Sequence, residues 1–234
     1  MPAYEMEKHA AQDEKFHAYV EELLGMGIPA KDFIHLFPLF TGWVNLARYL
    51  FLYEMYKKTQ GVLGHICEIG TWKGASFLFL AKLVQIFEPH SLTQVHGFDW
   101  FQGMQYDQDK DTPNYEGQYT ADQATLERLV RMQGLDKTAY LHSMDVTQEL
   151  VPFVEAHPSL QFKLVFLDCA AYHVVTKSLE ALWPRVTPGG VLIFDHANNS
   201  ELPQEQQAIR DFLGDAKLRT LDFCRTPTAY VVKE

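Results

Sequence analysis

Five short apolar runs, each followed by a helical pattern, constrain the fold of this chain more than any other feature of it. The runs are HICEIG (65–70), QVHGFD (94–99), AYLHSMD (139–145), KLVFLD (163–168) and GVLIFD (190–195). They are rich in Val, Ile, Leu and Phe and do not alternate with polar residues, the mark of strands covered on both faces. Helical periodicity fills the intervals at 74–87, 121–133, 147–156, 173–183 and 204–213, with Thr147 as a candidate N-cap. Strand–helix alternation of this kind builds a parallel sheet with right-handed crossovers. At the end the rhythm changes. KLRTLDF (217–223) and TAYVVKE (228–234) are separated by four residues, too few for a helix, and predict an antiparallel hairpin. The expected architecture is an α/β Rossmann-like, doubly wound, mostly parallel seven-stranded sheet over residues 61–234. A helical N-terminal extension over 1–60 precedes it as a lid or oligomer surface.

Composition removes several functions. A formal net charge of −10 opposes nucleic acid or an anionic membrane as the main partner, because both are held through Lys and Arg. The apolar stretch from Phe33 to Met55 is interrupted by His35, Pro38, Asn45, Arg48 and Glu54 and does not read as a membrane span. Cys67, Cys169 and Cys224 are scattered and odd in number, which fits a reducing cytoplasmic setting.

The chemistry concentrates at the carboxyl ends of the runs, which carry Asp99, Asp145, Asp168 and Asp195. In open α/β sheets that edge is where ligands bind, and an unpartnered carboxylate is costly elsewhere. The first run continues as Glu68-Ile69-Gly70-Thr71-Trp72-Lys73-Gly74-Ala75-Ser76. Gly70 and Gly74 allow a tight turn and a close ligand approach. Trp72 stands where a dinucleotide fingerprint requires glycine, so a ligand with an amino-acid group fits better than a pyrophosphate, with Glu68 meeting its ammonium. Asp99, followed by Trp100, is placed to take both hydroxyls of a ribose. Ser143 and Asp145 close the third run, a common position for adenine.

HICEIGTWKGAS, FDWFQGM and LDCAAYHVVTKSLEALWPRVTPGGVLIFDH together resemble the macrocin O-methyltransferase family of sugar methyltransferases, from about Gly61 to Leu213. The resemblance implies a class I fold and S-adenosylmethionine held by Glu68, Gly70, Ser76 and Asp99. It also implies a magnesium-dependent oligomer that methylates a hydroxyl of a sugar or secondary metabolite. The family's metal site falls on Asp168 and Asp195, with His196 in place of its third carboxylate. That histidine suits manganese, iron or zinc better than magnesium. Ala170 stands where some relatives carry an acid near the substrate, so the usual base is missing or has moved. His196, His173 and His142 are the candidates for it, His196 first, with Asp168 beside the reacting groups. The polar stretch 105–119, with Asp107, Asp109, Asp111 and Glu116, is expected to be a lid over the acceptor. Two alternatives remain open: a metal-dependent oxygenase or hydroxylase using Asp168, Asp195 and His196, and a non-catalytic cofactor-binding scaffold.

Overall fold

The computed structural model describes residues 9–111 and 116–234. All five apolar runs form strands: β1 (His65–Ile69), β2 (Val95–Asp99), β3 (Ala139–Ser143), β4 (Phe162–Leu167) and β5 (Val186–Phe194). The crossover helices are α5 (Ala75–Phe87), α6 (Gln123–Met132), α7 (Val146–Ala156), α8 (Tyr172–Leu182) and α9 (Pro203–Leu213). One sheet runs in the order β3-β2-β1-β4-β5-β6, parallel except for the terminal β6 (Ala229–Val232), which pairs antiparallel with β5. Among the described residues the sheet therefore has six strands where seven were expected. Of the segment 217–223, only Arg219 bridges Tyr230. Lys217, Arg219 and Asp222 break its apolar content, leaving little to bury by lying against the sheet.

Side-chain alternation assigns the core. Ile66, Leu164, Phe166, Val191 and Ile193 face one apolar cluster, whereas Cys67, Val165, Leu167, Leu192 and Phe194 face the other. Helices α7, α8 and α9 cover the second face. The first is covered by α5 and by α4 (Trp43–Lys58), whose Phe51, Leu52, Met55 and Tyr56 are fully buried. Helix α4 is thus anchored by four large side chains, each contributing on the order of 1.5–3 kcal/mol. Tyr56 and the buried Lys163 of β4 both donate to Glu88 at 2.6 Å, tying α4, α5 and β4 together. Ahead of α4 lie α1 (Ala10–Gly25), α2 (Ala30–His35) and α3 (Phe37–Phe40). A bidentate pair from Arg225 to Asp13, at 2.7 and 2.8 Å, fastens α1 to the segment before β6. Among the described residues no helix is long and apolar enough to cross a membrane.

Register sets the functional edge. Ile69 is level with Phe98 and Leu167, and Leu167 with Phe194. The residues that follow, Gly70, Asp99, Asp168 and Asp195, therefore emerge side by side. Strand order reverses between β1 and β4, and a crevice opens beyond the carboxyl ends at such a point.

Candidate active site

A cavity of about 900 Å³ occupies that crevice. Gly70 forms its floor at φ +86°, and a Cβ there would lie 2.2 Å from the Asp168 carbonyl oxygen, so only glycine fits. Next to it Trp72 is itself left-handed, at φ +47°, as is Phe101 at +63°. Both conformations are held by one side chain: Asp99 accepts from the Trp72 N–H at 2.7 Å and from the Phe101 N–H at 2.6 Å. Burial raises the Asp99 carboxyl above its ordinary range, and these backbone donors pull it back. The Trp72 indole donates to the Thr120 carbonyl and meets Tyr119 edge-on, forming one wall. This glycine-floored cradle, which a Cβ would fill, fits a ligand that lies along the β1 turn.

The expected cofactor contacts divide. Gly70, Trp72, Ser76, Asp99, Trp100, Asp145 and Asp168 line the cavity. Glu68, Gly74 and Ser143 do not. Glu68 is fully buried on the α4/α5 face, and neither of its carboxyl oxygens has a hydrogen-bond partner among the described residues. Burial pushes its carboxyl far up, with Asp168 adding to the rise and Arg48 opposing it. Gly74 is the left-handed N-cap of α5, where a Cβ would meet Leu126 at 2.3 Å. Ser143 points outward, exposed. The cap of α7 is Asp145 rather than Thr147: it accepts from the Thr147 N–H at 2.9 Å and hydroxyl at 2.7 Å. The helix starts at Val146, so Asp145 stands at the cap position and Thr147 already lies inside the first turn, where its N–H is one of the donors a cap must satisfy.

The expected metal site finds no support in the arrangement of its residues. Between Asp168 and Asp195 lies the guanidinium of Arg48, donating to the first at 2.5 Å and to the second at 2.6 Å. Its Nε lies 3.4 Å from Ser76 Oγ, and its plane sits over the Phe166 ring, 5.2 Å from the centroid. His196 turns Nε2 to Asp195 Oδ2 at 3.1 Å, and its Nδ1 is sealed without a partner. Among the described residues no three His, Cys, Asp or Glu side chains are arranged to hold a metal ion. The residues present do not fit a magnesium site, nor the two-carboxylate, one-histidine iron site of the oxygenase reading, because an organic cation already bridges the carboxylates.

Of the candidate bases, His142 lies outside the cavity lining, pairing with His96 at 3.0 Å and stacked on Phe98. His173 does line the cavity. It is the second residue of α8, and its Nε2 meets Asp107 Oδ2 at 2.9 Å. Asp111 accepts from the Tyr172 N–H at 2.7 Å, so residues 105–111 are docked on the start of α8. The rest of the expected lid includes 112–115, which lie outside the described residues. Ala170 packs with Leu202, Met104 and Tyr119 as an apolar patch.

Three participants escaped sequence reasoning: Arg48, Glu205 and the pairing of Asp107 with His173. Glu205 is fully buried and accepts from the His196 N–H at 2.7 Å, while burial and Asp195 push its carboxyl well up. Only Arg48 carried a signal, as a permanent charge interrupting the apolar stretch from Phe33 to Met55, where an unpartnered buried charge is untenable.

Comparison with known proteins identifies a family and a shared fold. The family described as "Methyltransferase domain" matches residues 67–197, more than half the chain. A crystal structure of CalS11, a calicheamicin methyltransferase, superposes with TM-score 0.83 at 24% identity, covering 94% of this chain and 91% of that one. The apo structure of CalS11, described as a TDP-rhamnose 3'-O-methyltransferase, gives 0.76 at 25% identity, with 94% and 93% covered. The O-methyltransferase NovP gives 0.66 at 17% identity over 80% and 79%. No curated protein sequence matches the chain.

Proposed function

The chain belongs to the methyltransferase domain family, and we propose that it transfers the methyl group of S-adenosylmethionine to a hydroxyl oxygen of a sugar or similar polar small molecule. The observation that carries this reading is the Gly70–Trp72–Asp99 cradle at the β1/β4 switch point, opening into one large cavity. The likeness to a TDP-rhamnose 3'-O-methyltransferase over almost the whole length of both chains supports a sugar hydroxyl as acceptor.

When bound, the donor supplies a methyl group already activated on a sulfonium. In the displacement the acceptor oxygen forms the new C–O bond, the sulfur keeps the C–S electron pair, and the acceptor proton must leave. The chain's tasks are therefore alignment and proton removal. Gly70 and Trp72 shape the donor's floor and wall, and the lone pairs Asp99 retains serve ribose hydroxyls. Ala170, Leu202, Met104 and Tyr119 give the acceptor an apolar platform. We assign proton removal to His173. With its Nε2–H donated to Asp107, Nδ1 carries the lone pair, whereas Nδ1 of His196 is sealed. Calorimetry should detect S-adenosylhomocysteine binding, and screening nucleotide sugars should yield a methylated product. His173→Ala should then lower kcat by about 10²–10⁴, the usual worth of a positioned base, and leave S-adenosylhomocysteine affinity unchanged. Absence of binding defeats the methyltransferase reading; an unchanged kcat moves the base elsewhere.

A further inference from the structure

The two carboxylates that end β4 and β5 receive their positive charge from the chain itself. We propose that Arg48 replaces a divalent ion in this site, so that the enzyme binds its cofactor and turns over without metal; this rests on the methyltransferase reading above. Four features of the structure carry it. The guanidinium is forked across the pair, one nitrogen to Asp168 at 2.5 Å and the other to Asp195 at 2.6 Å. An ion bonded to both carboxylates at about 2.0–2.1 Å would need that same space. The arginine is also not free to swing aside. Its helix is fixed over the next two turns by Phe51, Leu52, Met55 and Tyr56 in the core, and its own guanidinium sits over Phe166. Third, the remaining candidate ligand is engaged, since His196 Nε2 faces Asp195 at 3.1 Å. Finally, the positive charge the pair calls for is already supplied, because the permanently charged guanidinium is bonded to both carboxylates.

The arrangement also gives Arg48 a task in the reaction. A guanidinium has five N–H donors, and the contacts with Asp168, Asp195 and Ser76 use three. Arg48 lines the cavity, so a remaining donor can reach an acceptor oxygen as its proton leaves. In that position it supplies the fixed positive electrostatics a metal would otherwise give. The planar fork matters as much as the charge, because a lysine ammonium cannot span both carboxylates in the same way.

Two measurements on the purified full chain test this. Mn2+ titration followed by electron paramagnetic resonance reads metal binding without any turnover. The wild-type protein should show no saturable site, whereas Arg48→Ala, which vacates the space between Asp168 and Asp195, should acquire one. Methyl transfer by the wild type should survive exhaustive chelation. Arg48→Lys and Arg48→Ala should each lose about 100-fold or more, the scale for removing one preorganised donor. Saturable Mn2+ binding by the wild type, or loss of its activity on chelation with recovery on adding Mg2+ or Mn2+, overturns the proposal. If Arg48→Ala does not fold, the wild-type titration still decides. A chain that binds neither Mn2+ nor S-adenosylhomocysteine defeats the methyltransferase reading instead, so the two failures are distinct.

Discussion

Removing the Asp99 carboxylate should destabilise the free protein as well as weaken cofactor binding. Its two oxygens each accept from a backbone N–H, at 2.7 Å from Trp72 and 2.6 Å from Phe101. Both donors belong to non-glycine residues in the left-handed region, at φ +47° and +63°. A hydrogen bond to a charged group is worth about 1.5–3 kcal/mol, and a left-handed residue carries roughly 1–2 kcal/mol of strain that those bonds must hold in place. In Asp99→Ala water can reach part of the vacated space from the cavity, so the loss should fall short of the full sum, at about 2–4 kcal/mol by chemical denaturation. Asp99→Asn should fare little better. Two donors converge on this side chain, and an amide offers one acceptor oxygen and one NH2 that opposes the second donor. Calorimetry on the folded variant should show S-adenosylhomocysteine affinity reduced by about 10- to 100-fold, the equivalent of one charged hydrogen bond. A variant with wild-type stability refutes the turn-holding role. Normal affinity in a destabilised variant removes Asp99 from the ribose and leaves the turn-holding role standing.

Two further outcomes concern buried ionisable groups. Burial, with His142 nearby, depresses His96 from 6.5 to about 3, so at neutral pH it is uncharged in the fold. Between pH 6.5 and about 3 the unfolded chain binds a proton the folded chain refuses, and stability falls as pH falls. Measured as the difference between wild type and His96→Gln, which cancels opposing changes from buried carboxyls, the wild type should lose about 2 kcal/mol from pH 7 to pH 5. Equal pH dependence in both proteins would contradict the buried, neutral imidazole. Glu205, whose carboxyl is raised by burial and by Asp195, should tolerate replacement by the neutral Gln, which keeps an acceptor for the His196 N–H. Glu205→Gln should stay within about 1 kcal/mol of wild type, whereas Glu205→Ala, which orphans a buried N–H, should lose about 1–3 kcal/mol or more; equal damage from both would show that the charge itself is needed.

What could be read in the sequence was local. The five runs declared themselves as strands because each is a continuous apolar block bounded by polar residues, and their crossover helices followed within a residue or two of the expected limits. The terminal strand 217–223 failed because short polar-rich segments carry no periodicity strong enough to distinguish one bridge from a ladder. The site was legible only in outline. Gly70 and Asp99 emerged from spacing along one chain segment, but Arg48 meets Asp168 and Asp195 across 120 and 147 residues. Asp107 meets His173 across 66. No pattern within a window of a helix or strand encodes such pairs; topology makes them.

The acids at the strand ends show how a correct position can still mislead about a role. An unpartnered carboxylate at a sheet edge invites assignment to a ligand, yet in the free protein each of the four already has partners from the chain. Asp99 holds the two left-handed residues, Asp145 caps α7, and Asp168 and Asp195 clasp Arg48. Ligand binding at this edge therefore depends on the lone pairs those partners leave. A carboxylate has about four acceptor positions, so Asp99 keeps roughly two for a ribose. Asp145 directs one oxygen at both Thr147 donors and so keeps the other. Asp168 and Asp195 are different in kind: their partner is a full positive charge held by a core-anchored helix, and a divalent ion would have to expel it before binding. The same edge thus offers hydrogen-bond acceptors to a cofactor and a fixed cation to an acceptor oxygen. The second of these comes from α4, outside the strand-and-crossover repeat that built the rest of the site.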